Sequence, residues 1–175
     1  RRRVLDGENM HEVILKMIKD DINAAVDQVC SSETAPEDWN QVELDDMIRG
    51  IVPFAEPVTL TEEEIKKADI SELKDRLYNE ALELYAAKEE EIGDPDQMRE
   101  IERVILLKTI DRKGTDHIDD MDNLRQGIGL RSLGQRDPVV EYKFAGYDMF
   151  NDMTAAIRED TVKLLLRIKV EQKIE

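Results

Sequence analysis

The residues best suited to chemistry are concentrated in one stretch, "DRKGTDHIDDMD", at positions 111–122. It holds five aspartates and a histidine, and carboxylate and imidazole groups bind several divalent metals. On a helix, Asp116 and Asp120 share a face, but Asp119 lies about 100° from Asp120, so the side chains do not converge. The spacing also differs from the His-Glu-x-x-His and calcium-loop patterns. The stretch therefore favours a solvated or salt-bridged helix face, with a metal-dependent enzyme using His117, Asp116 and Asp120 as an alternative.

No other stretch carries an enzyme motif. Ser132 lies near a glycine in "RSLGQ", but this is not the Gly-x-Ser-x-Gly elbow and no predicted strand precedes it. The chain has no Gly-x-x-x-x-Gly-Lys-Ser/Thr phosphate loop. Cys30 is the single cysteine, so no internal disulfide can form, and His11, beside Glu8 and Glu12, is expected to face solvent. We predict that the chain alone is not an enzyme and holds no cofactor or metal.

The amino-acid composition argues against several classes of binding partner. The 175 residues include 25 basic and 41 acidic side chains, which gives a net charge of −16. This balance argues against nucleic-acid binding and against adhesion of the whole chain to anionic lipid. No apolar run approaches the roughly 20 residues of a membrane span, and no signal peptide is visible. Because the chain opens with "RRRVLDGENM" rather than methionine, we expect it to be a piece of a longer protein.

Apolar residues recur every three or four positions along most of the chain, which is the period of a helix buried on one face. Thr61 and Glu64 form a capping-box pattern. The short stretch 37–54 is expected to turn five apolar side chains inward: Trp39, Val42, Leu44, Met47 and Ile48. Further helices are predicted from near Val4 to about Cys30, from Thr61, from Ser71, from Pro95 to about Ile128, and from Val139 to about Ile168. The sequence therefore predicts an all-α fold with a long antiparallel hairpin near the C-terminus.

The loop between the last two helices, "GLRSLGQRDP", is the predicted tip of this hairpin. Glycines permit backbone angles denied to other residues, and Asp137 followed by Pro138 is a favoured way to restart a helix. Arg131 and Arg136 would project positive charge from an acidic body. We expect Gly129, Asp137 and Pro138 to shape the tip.

Several motifs resemble the SecA family, the preprotein translocase ATPases of bacteria. The stretch 103–150 carries "DHIDDMDNLRQGI", "GLR", "QRDPVVEYK" and "GYDMF", which are similar to the C-terminal half of that family. "RRRVLDGENMHEVILKMI" resembles its long scaffold helix, and "APEDWNQVEL" resembles the start of its wing. The resemblance implies that 1–30 belong to the scaffold helix, 31–94 to a small helical wing and 95–170 to a two-helix finger, with 171–175 as a frayed tail.

The same resemblance implies a function. In the family the finger regulates ATP hydrolysis, and its tip engages the SecY channel and the translocating preprotein. The implied contact residues are Arg131, Ser132, Leu133, Gly134, Gln135 and Arg136. ATP and Mg would bind motor domains of the parent chain, which are also partners, and the protein would be cytoplasmic and peripherally attached to the inner face of the bacterial plasma membrane. Exposed apolar patches could also pair with a second copy.

Two positions depart from the family pattern. Leu133 stands where the family typically has tyrosine, so the phenol hydroxyl and ring stacking are lost. Gly114 stands where the family has tryptophan, and glycine inside a helix costs roughly 1 kcal/mol relative to alanine.

Two other interpretations stay open. A self-contained helical adaptor would bind partner helices through its apolar stripes. Met149, Phe150 and Met153 could hold an unfolded peptide, although their helical spacing favours core packing.

Overall fold

The structure, a computed structural model, describes residues 9–131 and 137–169, with Arg131 described for its backbone only. Predictions that fall on 1–8, 132–136 and 170–175 lie outside the described residues. Every regular element of the described part is helical, which confirms the predicted all-α class. In chain order the elements are α1 (Met10–Val29), a 3-10 turn (Pro36–Asp38), α2 (Gln41–Ile51), α3 (Glu62–Lys67), α4 (Ile70–Ile92), α5 (Pro95–Arg131) and α6 (Pro138–Leu165).

Helix α1 begins directly after a capping asparagine. Asn9 has extended backbone angles, and its side chain accepts hydrogen bonds from the backbone N–H groups of His11 and Glu12. An asparagine in this position is a strong N-terminal cap, so α1 starts at Met10. The predicted start near Val4 lies outside the described residues. From there Ile14, Ile18 and their neighbours face the core.

The region between α1 and α4 is built from short capped elements. Thr61 and Glu64 form the predicted capping box at the start of α3. Helix α4 begins at Ile70 because the Asp69 side chain accepts from the Glu72 backbone N–H, one residue earlier than predicted. The prediction that Val42 faces inward is wrong, since it is 73% exposed.

The long hairpin consists of α5 and α6. With 37 residues, α5 is about 55 Å long. Asp137 caps α6 by accepting from the Val139 backbone N–H at 3.0 Å, and Pro138 takes the first helical position, as predicted. Gly146 permits close approach of the two helices, because a Cβ there would lie 2.9 Å from the terminal methyl of Met121.

The main core lies at one end of this hairpin, which we call the foot (95–112 and 158–169). There α1, α2 and α4 pack against α5 and α6, with Ile18, Ile22, Leu77, Leu165 and Leu166 among the buried side chains. The rest of the hairpin extends away from this core. Among the residues described, no helix is long and apolar enough to cross a membrane.

Candidate functional site

The predicted contact site at the hairpin tip is described only at its flanks. The side chain of Arg131 and residues 132–136 lie outside the described residues, so their role as contacts stays a prediction. Gly129 and Leu130 belong to the last turns of α5, and Leu130 is 82% exposed. The described flanks therefore place an exposed apolar side chain next to the predicted tip.

An open groove lies between α5 and α6 beside the tip. It encloses about 620 Å³, and its apolar lining includes Leu124, Ile128, Val140 and Phe144. Acidic side chains line it as well: Asp137, Glu141 and Asp148. Phe144 and the neighbouring Tyr147 are 72% and 67% exposed, so the predicted apolar stripe of α6 points partly to solvent. An apolar surface bordered by carboxylates is suited to a polypeptide that carries apolar and basic side chains.

Sequence reasoning did not identify this groove. Its signal is the spacing of Val140, Phe144 and Tyr147, which share one face of α6. Helical periodicity alone assigns such a face to the core, because it cannot show that this face stays largely exposed in the described part of the chain.

The acidic stretch at 111–122 does not form a metal site in the described part of the chain. His117 contacts Phe150 edge-on, with ring centroids 6.0 Å apart, so it packs between α5 and α6. A shallow cleft is lined by Asp116, His117, Asp120 and Asp152. No group of three or more histidine, cysteine or acidic side chains among the described residues could hold a metal ion. The metal-dependent alternative therefore has no supporting geometry there.

At the foot, α1, α4 and α5 meet around the fully buried Glu102. The Tyr85 hydroxyl donates to Glu102 Oε2 at 2.6 Å, and Nδ1 of His11 lies 3.1 Å from the same oxygen. Arg99 Nε lies 2.8 Å from Oε1, and Arg99 also pairs with Glu89. Burial, together with Glu102, raises the pKa of Tyr85, so its hydroxyl stays protonated and remains a donor.

The prediction that His11 faces solvent is wrong. Its ring stacks on Tyr85 at 6.0 Å between centroids, and its side chain is only 28% exposed. The sequence places His11 between acidic neighbours near the start of α1, but the first turn of α1 lies against α4 and α5. The ring therefore belongs to the polar contact around Glu102.

A second polar contact joins α1 to α6. Asp21 is 3% exposed, and Arg158 Nε–H donates to its Oδ1 at 2.5 Å. Burial raises the pKa of Asp21 to about 6, although the hydrogen bond and charge of Arg158 act in the opposite direction. The ion pair offsets only part of the desolvation of this carboxylate.

This raised pKa predicts a pH dependence of stability. A carboxyl group that binds its proton more tightly in the folded state contributes stability that is lost as the pH rises through its folded pKa. We expect the free energy of unfolding, relative to the Asp21→Asn variant, to fall by about 2 kcal/mol between pH 4.5 and 7. Urea titrations of both proteins at several pH values measure this difference. A flat difference would contradict the assignment.

A third contact ties the end of the hairpin to α2. The Arg167 guanidinium donates to the carbonyl oxygens of Arg49, Gly50 and Ile51 at 3.1, 2.8 and 3.0 Å. These carbonyls close α2, where a helix lacks its own donors and the macrodipole favours a cation. Burial lowers the pKa of Arg167 from its usual value. The three contacts together fix the foot of the hairpin to α1, α2 and α4.

Comparison with known proteins identifies the family. The family model described as the SecA Wing and Scaffold domain matches residues 1–169. This chain belongs to the SecA family. The protein translocase subunit SecA of Lachnoclostridium phytofermentans is 49% identical over 175 residues, covering 100% of this chain and 20% of the relative.

Other SecA relatives give the same result. SecA of Finegoldia magna is 45% identical over 175 residues, and SecA 1 of Alkaliphilus metalliredigens is 43% identical over 175 residues. Each alignment covers 100% of this chain and 19% of the relative. The chain thus spans about a fifth of the length of the SecA proteins it matches. It corresponds to the wing and scaffold domain of the protein translocase.

Gly114 lies inside α5 with open space around it. A Cβ built there meets nothing within 4 Å, whereas one at Gly146 would press on Met121. We expect Gly114→Ala to raise the free energy of unfolding by about 1 kcal/mol, because alanine is the better helix former and no side chain must move. Gly146→Ala is the matched control and should not raise the free energy of unfolding. Urea unfolding compares the two, and equal gains would contradict the difference in packing.

Proposed function

We propose that this chain is the non-catalytic scaffold and wing segment of a SecA-type, ATP-driven protein translocation motor. In this proposal the α5–α6 hairpin is the two-helix finger, which regulates ATP hydrolysis by the motor domains. Its tip, residues 131–136, engages the SecY channel and the translocating preprotein. The observation that carries the proposal is the match of the wing and scaffold family model to residues 1–169.

The geometry of the hairpin supports this role. The foot is fixed by three polar contacts and a shared core, while the rest of α5 and α6 extends away from that core. The groove beside the tip combines Leu124, Ile128 and Phe144 with acidic side chains. Such a surface suits an extended or helical polypeptide in transit, since apolar burial gives affinity without demanding one sequence.

The remaining parts of the proposal concern the parent protein. ATP and Mg would bind its motor domains, and this segment would hold no nucleotide. The parent would be cytoplasmic and bind the inner face of the plasma membrane through the SecY channel. A second copy of the chain is a further candidate partner, because the hairpin carries exposed apolar side chains such as Phe144.

The test is a titration of this chain into the separately produced motor half of a SecA protein, with ATP hydrolysis as the readout. The proposal predicts dose-dependent suppression, because the helices would dock on the motor domains. A chain that is helical and folded but leaves hydrolysis unchanged would contradict a regulatory role for this segment by itself. Repeating the titration with Gly114→Trp, which restores the family residue, shows whether that position limits docking.

The same titration separates the adaptor interpretation from the proposal. A self-contained adaptor would bind some partner helix through the groove but would have no reason to act on a SecA motor half. As a control, Phe144→Ser alters the groove without touching the foot, where the buried contacts lie. Suppression that survives this substitution would place docking at the foot rather than in the groove.

A further inference from the structure

The contact between α1 and the second hairpin helix is built around a carboxylate that is poorly satisfied. Asp21 is buried on α1, and its Oδ1 receives a single guanidinium hydrogen bond, from Arg158 Nε. Its Oδ2 is also buried and has no hydrogen-bond partner among the described residues. A charged group that is both desolvated and half satisfied is one whose charge state is easily changed.

The charged groups around Asp21 do not offset its burial or the missing hydrogen bond of its Oδ2. On α1, the adjacent Asp20 adds negative charge and is itself paired with Lys16 at 2.9 Å. On α6, Glu159 adds further negative charge next to Arg158. Asp160 on α6 is occupied by Arg112 and Lys113 of α5, at 3.1 and 3.2 Å. The residues of α2 that line the adjoining cavity are Met47, Gly50 and Ile51, which carry no charge. Lys163 of α6 also lines this cavity, but it is the hydrogen bond and charge of Arg158 that lower the pKa of Asp21 and favour its ionised form.

The surroundings of this contact also leave space for side chains to move. A cavity of about 340 Å³ lies between α1, α2 and α6, with Asp21, Ala24, Ala25 and Lys163 among its lining residues. The Arg158 side chain is 29% exposed, so it has a route to solvent that does not require the core to open. The apolar contacts of α6 with the core, through Val162 and Leu165, do not depend on the ion pair.

We propose that Asp21 and Arg158 form a proton-sensitive contact, in which the charge of Asp21 sets whether the Arg158 guanidinium lies between α1 and the second helix of the hairpin or in solvent. With Asp21 ionised, Arg158 is held between the two helices. When Asp21 takes up a proton from solvent, the carboxyl becomes neutral, the charge attraction is lost, and Arg158 turns towards solvent. The neutral carboxyl stays buried, and the foot of α6 keeps its apolar contacts and Arg167, which agrees with the higher stability expected at low pH. This assigns regulation to the joint of the hairpin and is independent of what the tip engages.

The test follows the Arg158 Nε–H group by NMR during a pH titration of the whole chain. Held between the helices at pH 7.5, this proton should exchange slowly with water. Because hydroxide catalyses this exchange, the rate is compared with that of free arginine at the same pH. As the pH falls through about 6, this protection should fall at least tenfold and the signal should move towards that of a solvated arginine. Amide protection in α6 near Arg158 should not fall over the same pH range, because the neutral Asp21 carboxyl stays buried.

Two matched variants make the result decisive. Asp21→Asn keeps the shape of the side chain without the charge, so its Arg158 signal should resemble the low-pH state at every pH. Asp20→Asn, the neighbouring acid that does not touch Arg158, should leave the transition of the wild type in place. An Arg158 signal that does not change between pH 7.5 and 5, or a transition that persists in Asp21→Asn, would overturn the proposal.

Discussion

Replacing Glu102 with alanine is expected to lower the free energy of unfolding by about 4 kcal/mol. Glu102 is fully buried, and it is the acceptor for the Tyr85 hydroxyl. Without it, the phenol is left buried without its acceptor, which costs about 1–3 kcal/mol. The cavity left by the side chain and the loss of an ionic partner for Arg99 add to this. Chemical denaturation followed by circular dichroism measures the change.

Two controls isolate the buried contact. Glu100→Ala removes the same side chain two residues away on α5, where it faces solvent and pairs with Arg103. That variant should match the wild type within error. The Tyr85→Phe variant lacks the hydroxyl that Glu102→Ala would leave without an acceptor. In that variant, Glu102→Ala should lower the free energy of unfolding clearly less than it does in the wild type. Strictly additive effects of the two substitutions would contradict the account, because residues in one hydrogen-bond network are expected to couple.

Replacing Arg167 with alanine is expected to lower the free energy of unfolding by about 3 kcal/mol. The guanidinium satisfies three carbonyls at the end of α2 with charge-assisted hydrogen bonds, each of which contributes about 1.5–3 kcal/mol when shielded from water. Arg167 is partly exposed, so water replaces some of the lost hydrogen bonds. The expected loss of stability is therefore smaller than the sum of the three bonds. The loss should appear in urea titrations and as faster amide exchange within α2.

Arg167→Lys should recover only part of this stability, since one ammonium cannot reach three carbonyls with the geometry of a planar guanidinium. Arg103→Ala, which removes an exposed arginine of α5, serves as the control and should leave exchange in α2 unchanged. If Arg167→Ala altered α2 no more than Arg103→Ala does, the contact would not join the hairpin to α2.

Local sequence patterns were enough to predict most helices and several of their ends. The capping box at Thr61 and the Asp137–Pro138 restart depend on interactions within a few residues, so the sequence around them specifies them. The cap of α1 at Asn9 is likewise a local interaction, although the apolar spacing continues on its N-terminal side and does not indicate it. Local sequence patterns therefore predict where helices lie better than they predict which helix faces are buried against other helices.

The buried polar residues were missed for a different reason. Glu102 lies on the same face of α5 as Met98 and Leu106, four residues to either side, and Asp21 lies among the core positions of α1. A carboxylate inside an apolar stripe is the available signal, but its partners Tyr85 and Arg158 come from distant parts of the chain. The carbonyls bound by Arg167 are likewise more than a hundred residues away. Only the packed fold shows that these groups meet.

Residues 1–169 match the wing and scaffold domain of SecA, and we expect this chain to work as that part of a protein translocase. The most direct measurement replaces the matching span of the Lachnoclostridium phytofermentans SecA, which is 49% identical, with residues 1–169 and follows ATP-driven preprotein transport into vesicles that contain the SecY channel. The account predicts transport by this chimera, and loss of transport but not of ATP hydrolysis when residues 131–136 are replaced by a glycine-serine linker. A folded chimera that hydrolyses ATP but transports no preprotein would contradict it.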